Sequence, residues 1–105
     1  MNKNYRIEKL DGRFNFHQLY SHRIWVCGPH RQNSYYKLYQ WCNQQFGFGI
    51  DVRIIWSVYP DCQRAQTHPI WAFWINDGGD CFVYLRDEAL TAFLMQQDNL
   101  NKLFD

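Results

Sequence analysis

The sequence predicts an α+β fold in which a mostly antiparallel sheet of five or six strands carries two helices on one face. Two observations lead to it: short runs of alternating apolar and polar residues are separated by turn signals, and two longer segments change to the helical period of about 3.6 residues. A chain of 105 residues, 47% of them hydrophobic, is sufficient for one domain, residues 1–105. The predicted element order is β-β-β-α-β-β-β-α.

Three strands are predicted before the first helix. Residues 5–10 and 13–20 are separated by an Asp-Gly pair at 11–12, and this pair between two such runs is typical of a type I′ hairpin turn. A third strand, 22–27, ends before Pro29 because proline has no N–H to donate to a neighbouring strand. The sequence therefore predicts that the first two strands pair as a hairpin.

The first helix is predicted over residues 34–46, where apolar residues recur at helical spacing. Asn33 or Ser34 can accept a hydrogen bond from the first turn, and Gly47 suits the left-handed residue that closes the last. Trp41 lies at the boundary between the apolar and polar sides of this helix. It is therefore either a lid over the core or a contact for another molecule.

Three further strands and a second helix are predicted in the rest of the chain. A strand at 51–59 is followed by an apolar strand at 70–75, a turn at 77–80 and a strand at 81–86. The second helix begins at Asp87, and the tail beyond it is expected to pack back on the domain.

Aromatic residues make up 19% of the chain, and they are the main indication of function. A small domain leaves part of its surface uncovered, and Trp and Tyr are common in recognition surfaces. We expect Tyr36, Trp41 and whichever of Trp71 and Trp74 points away from the helices to bind another protein. The alternative is that the rings only fill the core.

The net charge of +1 hides a polarised sequence. Eight basic and three acidic residues precede residue 54, and three basic and seven acidic residues follow. Cations interleaved with rings are typical of single-stranded nucleic-acid binding, and the candidates are Arg13, Arg23, Arg31 and Lys37. A dedicated nucleic-acid binder is usually strongly basic, so we expect weak, salt-sensitive binding or none.

A zinc site is considered at Cys27 and His30, whose two-residue spacing resembles half of a zinc knuckle. Cys62 and His68 would have to supply the other half, but their spacing is looser than such sites use. We therefore predict no metal and no other cofactor. The four cysteines are expected to be reduced, and the protein to fold without disulfides.

The sequence contains no catalytic or cofactor-binding motif: it has no nucleophile elbow, phosphate-binding loop, zinc-protease pair or dinucleotide fingerprint. We predict that the protein is not an enzyme. No apolar run is long enough to span a membrane, and the first residues lack the apolar stretch of a secretion signal, which predicts a cytoplasmic protein.

Residues 41–47 (WCNQQFG), the Trp-rich strand and residues 82–86 (FVYLR) resemble small accessory proteins of tailed bacteriophages. This resemblance implies a phage protein acting in the host cytoplasm. Such proteins include non-catalytic inhibitors of bacterial defence complexes, among them anti-CRISPR proteins, which act by covering a partner's surface. A virion or assembly component is the alternative, and self-association as a homodimer is a further expectation. No site residue is carried over from the resemblance.

Overall fold

The structure is a computed structural model, and it describes residues 5–13, 19–53 and 70–104 except for the side chains of residues 101, 103 and 104. Five strands and three helices lie in these ranges, in the order β1 (Tyr5–Lys9), β2 (His22–Val26), α1 (Arg31–Phe46), β3 (Ile50–Asp51), β4 (Trp71–Ile75), β5 (Cys81–Leu85), α2 (Asp87–Met95) and α3 (Gln97–Phe104). The predicted α+β class and mostly antiparallel sheet are confirmed.

The five strands form one sheet in the spatial order β1-β2-β5-β4-β3. Three pairs are antiparallel, and the pair β3–β4 is parallel. Side chains alternate between the two sides of a strand, so the register assigns every strand residue to one face. Ile24, Val83 and Trp71 cluster with residues of α1, α2 and α3. Helices α1, α2 and α3 therefore cover one face, and we call the opposite side, which none of these three helices covers, the helix-free face.

The pairing of the first predicted hairpin, 5–10 with 13–20, falls mostly on residues outside the described part of the chain. A turn is present at Gly12, whose φ is 79°, a conformation open to glycine. Among the described residues, β1 pairs with β2. The predicted strand 13–20 lies mostly outside the described residues, and Leu19 and Tyr20 are not in a strand.

Helix α1 begins at Arg31, three residues before the predicted start of 34–46. The N–H of Ser34 donates to the carbonyl of His30 at 3.0 Å, which places the first helical hydrogen bond earlier than expected. The predicted caps at Asn33 and Ser34 are therefore wrong. His30 holds the cap position, and no side chain caps the first turn.

Strands β4 and β5 form the hairpin predicted for 70–75 and 81–86. The N–H of Asn76 donates to the carbonyl of Asp80 at 3.0 Å, and the turn includes Gly79 with a φ of 82°. The local turn signal and the alternation of the flanking residues agree here, so the prediction from sequence is confirmed.

The strand predicted for 51–59 is wrong at its beginning. Strand β3 comprises only Ile50–Asp51, and the next two residues, Val52 and Arg53, are helical. The Asp51 carboxylate accepts a hydrogen bond from the N–H of Arg53 at 2.9 Å. Such a local bond competes with strand pairing and turns the chain. Residues 54–59 lie outside the described part.

The core lies between the helices and the sheet, with Trp71 fully buried near its centre. The Trp71 Nε1–H donates to the carbonyl of Gly47 at 2.9 Å. Gly49 lies so close to the same ring that a Cβ there would stand 2.6 Å from it. Leu100 of α3 is fully buried in this cluster, which confirms that the tail packs back on the domain.

Candidate functional site

The helix-free face carries a row of one cation and three aromatic rings across four neighbouring strands. Arg6 lies opposite Trp25 in the register of β1 and β2. Trp25 lies opposite Phe82 on β5, and Phe82 lies opposite Trp74 on β4. Directly opposed residues on one face of a sheet are in contact range. We call Arg6, Trp25, Phe82 and Trp74 the aromatic row.

The rings of the aromatic row pack against one another and against arginine. The Phe82 ring centroid lies 6.0 Å from that of Trp25 and 5.9 Å from that of Trp74. The Arg6 guanidinium carbon lies 5.4 Å from the Trp25 ring centroid, and that of Arg23 lies 4.6 Å from the Phe82 centroid. Both are cation–π distances. Phe82 is buried, whereas Trp25 and Trp74 keep part of their surface in solvent.

A second row of opposed residues, which holds an ion pair, lies beside the first. The Arg23 Nε–H donates to Glu8 Oε1 at 2.8 Å, and Arg23 lies opposite Tyr84 in the register. Burial by itself would lower the pKa of Arg23, but the interactions of the guanidinium with Glu8 and, to a smaller extent, with Tyr84 together outweigh it, and the pKa is raised. The guanidinium therefore stays charged.

Tyr84 is the most buried residue of this second row. Its side chain clusters with Leu19, Tyr20 and Val52, which cover part of the helix-free face. Burial raises the pKa of Tyr84 to about 12, and the nearby Arg23 guanidinium opposes this shift only in part. The Tyr84 hydroxyl is therefore neutral at physiological pH.

One end of the aromatic row opens into a cleft of about 380 Å³, lined by Arg53, Trp74, Ile75, Asn76, Asp77 and Gly78. Arg53 binds Asp51 through its guanidinium, with Nη2 2.7 Å from Oδ2. The hydrogen bonds from Arg53 lower the pKa of Asp51, so this carboxylate is charged at neutral pH. The cleft therefore combines ring surface with a neutralised ion pair.

The four residues predicted to bind a protein are not together. Trp71 and Trp41 are buried in the core, where Trp41 packs edge-to-face on Phe93 with centroids 6.0 Å apart. Neither ring is therefore available as a surface contact. Trp74 is on the helix-free face, which selects it over Trp71. Tyr36 is 59% exposed on α1, a helix that packs on the other face.

The four predicted nucleic-acid contacts are also separated. Arg13 pairs with Asp11 at 3.4 Å, and Arg23 pairs with Glu8. Arg31 donates from Nε to the carbonyl of Gly79 at 3.0 Å, at the start of α1. Lys37 lies further along α1. Of the four, only Arg23 lies on the helix-free face beside the aromatic row.

The proposed zinc ligands are described only in part. Cys27 is half-buried, and His30 is exposed at the start of α1. Cys62 and His68 lie outside the described residues. Within residues 5–13, 19–53 and 70–104, no group of three or more His, Cys, Asp or Glu side chains is arranged to hold a metal ion.

Two other cysteines are described, and both are buried free thiols. Burial raises the pKa of Cys42 and of Cys81, and the Arg31 charge offsets this only partly for Cys81. A nucleophilic cysteine needs the opposite shift, because the thiolate is the reactive form. These two thiols therefore have the properties of core residues.

Reasoning from the sequence did not bring Trp25, Phe82 and Trp74 together as one site. Alternation shows which residues of one strand share a side, but residues of different strands can be assigned to one face only when the strand order and register are known. The residues of the aromatic row are therefore related by pairing between neighbouring strands and not by a spacing along the chain.

No helix in the described part of the chain is long and apolar enough to cross a membrane. Comparison with known proteins found no matching family model, no matching curated protein and no matching solved structure.

Proposed function

We propose that this protein is a non-catalytic binding module that holds a protein partner against its helix-free face. The observation that carries this proposal is the aromatic row, in which Trp25 and Trp74 flank a buried Phe82 and keep part of their surface exposed. Rings fixed by neighbouring side chains lose little entropy on binding, and Trp, Tyr and Arg dominate the energetics of protein interfaces.

The charges beside the aromatic row favour a protein over a nucleic acid as the partner. Glu8 neutralises Arg23, and Asp51 neutralises Arg53. Binding to a phosphate backbone depends on cations that replace its counterions. Paired arginines beside tryptophan instead supply the mixture of apolar and polar contacts found at the centre and rim of protein interfaces.

The resemblance to phage accessory proteins leads us to propose the kind of partner. The module would act in the cytoplasm of a bacterial host as an inhibitor of a defence complex, in the manner of an anti-CRISPR protein, by covering a surface that the complex needs. A rigid sheet face requires no catalytic group for this action. A role in the virion or its assembly would use the same face on a different protein.

The binding face is tested by replacing its two exposed rings. Trp25→Ala and Trp74→Ala should each weaken binding by about 2 kcal/mol, roughly 30-fold, because central rings carry most of an interface's energy. The partner is first isolated from bacterial lysate with tagged protein, and affinities are then measured by calorimetry. Tyr36→Ala is the matched control, since Tyr36 is exposed on α1, away from this face.

The result for the control decides which surface binds. Full affinity with Tyr36→Ala and lost affinity with the two Trp variants supports the helix-free face. The reverse pattern would move the contact to α1. If all three variants bind as well as wild type, the aromatic row serves only packing and the proposal is wrong.

The inhibitor role has a test of its own. Phage should plate better on bacteria with an active CRISPR–Cas system when they express the wild-type protein, and the Trp25→Ala/Trp74→Ala variant should abolish this gain. Equal plating with and without the protein, on hosts that carry each major type of system, would rule the anti-CRISPR role out and leave the assembly role.

Single-stranded nucleic acid is the second candidate, because the Arg6 guanidinium lies over Trp25 and stacked rings with cations bind such strands. Fluorescence anisotropy with labelled single-stranded DNA and RNA should show weak binding that disappears at moderate salt. Tight binding that persists at about 0.3 M salt and is lost in Trp25→Ala would make nucleic acid the main ligand.

A further inference from the structure

Strand β1 is the last strand at one side of the described sheet. The N–H of Leu10 donates to the carbonyl of Ser21 on the β2 side. Successive residues of a strand direct their N–H and C=O groups to alternate sides, so the even-numbered residues of β1 face β2. Ile7 and Lys9 therefore direct their backbone groups away from β2, where the described part of the chain places no other strand.

The order of charges along β1 suits pairing of this strand with the β1 strand of a second copy of the chain. Arg6 and Glu8 lie on either side of Ile7 and point to the helix-free face, as do their opposed residues Trp25 and Arg23. Arg13 and Arg23 bind carboxylates of their own chain, but Arg6 has no carboxylate partner among the described residues. Its charge therefore remains available to a group from outside.

Only one antiparallel register sets Arg6 of one copy opposite Glu8 of the other. Pairing centred on Ile7 sets Arg6 opposite Glu8 of the second copy, twice by symmetry. Pairing centred on Arg6 or on Glu8 would set each of these residues opposite itself, and like charges directly opposed are destabilising. Charged edge strands usually oppose association, and this order of charges permits a single alignment.

We propose that two copies of this chain associate edge to edge through β1, antiparallel and centred on Ile7. The outward N–H and C=O groups of Ile7 then form a hydrogen-bonded pair with those of the second copy's Ile7. Arg6 and Glu8 occupy the neighbouring positions, where Cα atoms are about 4.5 Å apart and side chains are closest. This proposal does not rest on the proposed function.

The arrangement joins the two described sheets into one sheet of ten strands with α1, α2 and α3 of both copies on the same side. The aromatic rows of both copies then lie on one continuous helix-free face. Glu8 binds Arg23 of its own chain at 2.8 Å and gains Arg6 of the second copy, so each junction is a carboxylate between two guanidinium groups. Such a network is stronger than an isolated surface ion pair.

The test reverses one charge in each of two variants of the chain and then mixes the two variants. Sedimentation equilibrium of the wild-type protein over a concentration series should give twice the chain mass of 12.8 kDa. Arg6→Glu alone and Glu8→Arg alone should each weaken self-association about tenfold or more, because each sets like charges opposite one another. An equimolar mixture of the two variants should associate again, since both junctions then pair opposite charges.

Arg13→Glu is the matched control, because Arg13 is an exposed cation outside β1 and its reversal should leave association unchanged. Thermal melts by circular dichroism check that each variant is folded. A wild-type protein that sediments as a single chain at every concentration would overturn the proposal. So would single variants that associate like wild type, or variants that lose association and do not regain it on mixing.

Discussion

On the helix-covered side of the sheet, Trp71 is fully buried and its indole N–H donates to the carbonyl of Gly47. On the helix-free face, Trp74 of the same strand keeps part of its surface in solvent and packs on Phe82. Both residues come from one apolar strand. The strand alternation alone sends one ring into the core and the other to a surface.

The difference shows that two kinds of contact hold the aromatic residues of this protein. Under the helices, rings such as Trp41 and Phe93 meet edge-to-face, and Phe93 is fully buried. On the helix-free face, the rings of Trp25, Phe82, Trp74 and Tyr84 meet at 31–38°, and arginine side chains lie over two of them. The first kind contributes mainly to stability, and the second leaves partly exposed rings in fixed positions for binding.

We expect the largest loss of stability from a substitution on the helix-covered side of the sheet. Trp71→Ala should destabilise the protein by about 4 kcal/mol, because it removes a fully buried ring and leaves a cavity. Trp74→Ala should cost less than half as much, since Trp74 is already partly in solvent. Urea denaturation of both variants measures the two losses. Equal losses would show that the two faces contribute alike to stability and would contradict the comparison.

A medium effect is expected for Tyr84 at alkaline pH. Its pKa is raised from 10.0 to about 12 by burial, so the unfolded chain releases this proton at lower pH than the folded one. The contribution of Tyr84 is present below pH 10 and is lost as pH rises towards 12, by about 2 kcal/mol. Tyr84→Phe should reduce this loss in urea titrations at pH 8–12. Parallel curves for the variant and wild type would contradict the prediction.

The smallest effect is expected for the ion pair on the helix-free face. Glu8→Gln keeps the shape of the side chain and removes the charge that faces Arg23, so it should cost about 0.5 kcal/mol, less at high salt. Stability is compared at low and high sodium chloride, with Glu88→Gln, at an exposed position in α2, as the control. A loss that is the same at both salt concentrations would mean that the pair acts by packing and not by charge.

Much of the local structure could be predicted from the sequence. The apolar residues at helical spacing locate α1 to within three residues, and the Asn76–Asp80 turn joins two strands with the predicted bounds nearly unchanged. These features depend on neighbours in the chain. The failure at Val52 has a local cause as well, since the Asp51 carboxylate accepts the Arg53 N–H and turns the chain where alternation alone predicts a strand.

The candidate site was predicted less well than the fold. Trp41 and Trp71 were expected as surface candidates and are buried, because α2 and the loop after α1 supply neighbours that the local pattern does not show. Trp74 was retained only as the alternative to Trp71. Trp25 is far from Trp74 in the sequence, and Phe82 lies across a turn from it. No spacing along the chain therefore connects these three residues.

The α+β class, the types of the main elements and the capacity to form a core follow from the spacing of apolar residues over a few turns or strand positions, so they can be predicted without a structure. Only the tertiary structure decided that β2 lies between β1 and β5. Backbone hydrogen bonds are nearly the same for any order of strands, so the order depends on how side chains pack across the whole sheet. That order places Trp25 beside Phe82 and leaves β1 at the edge of the described sheet.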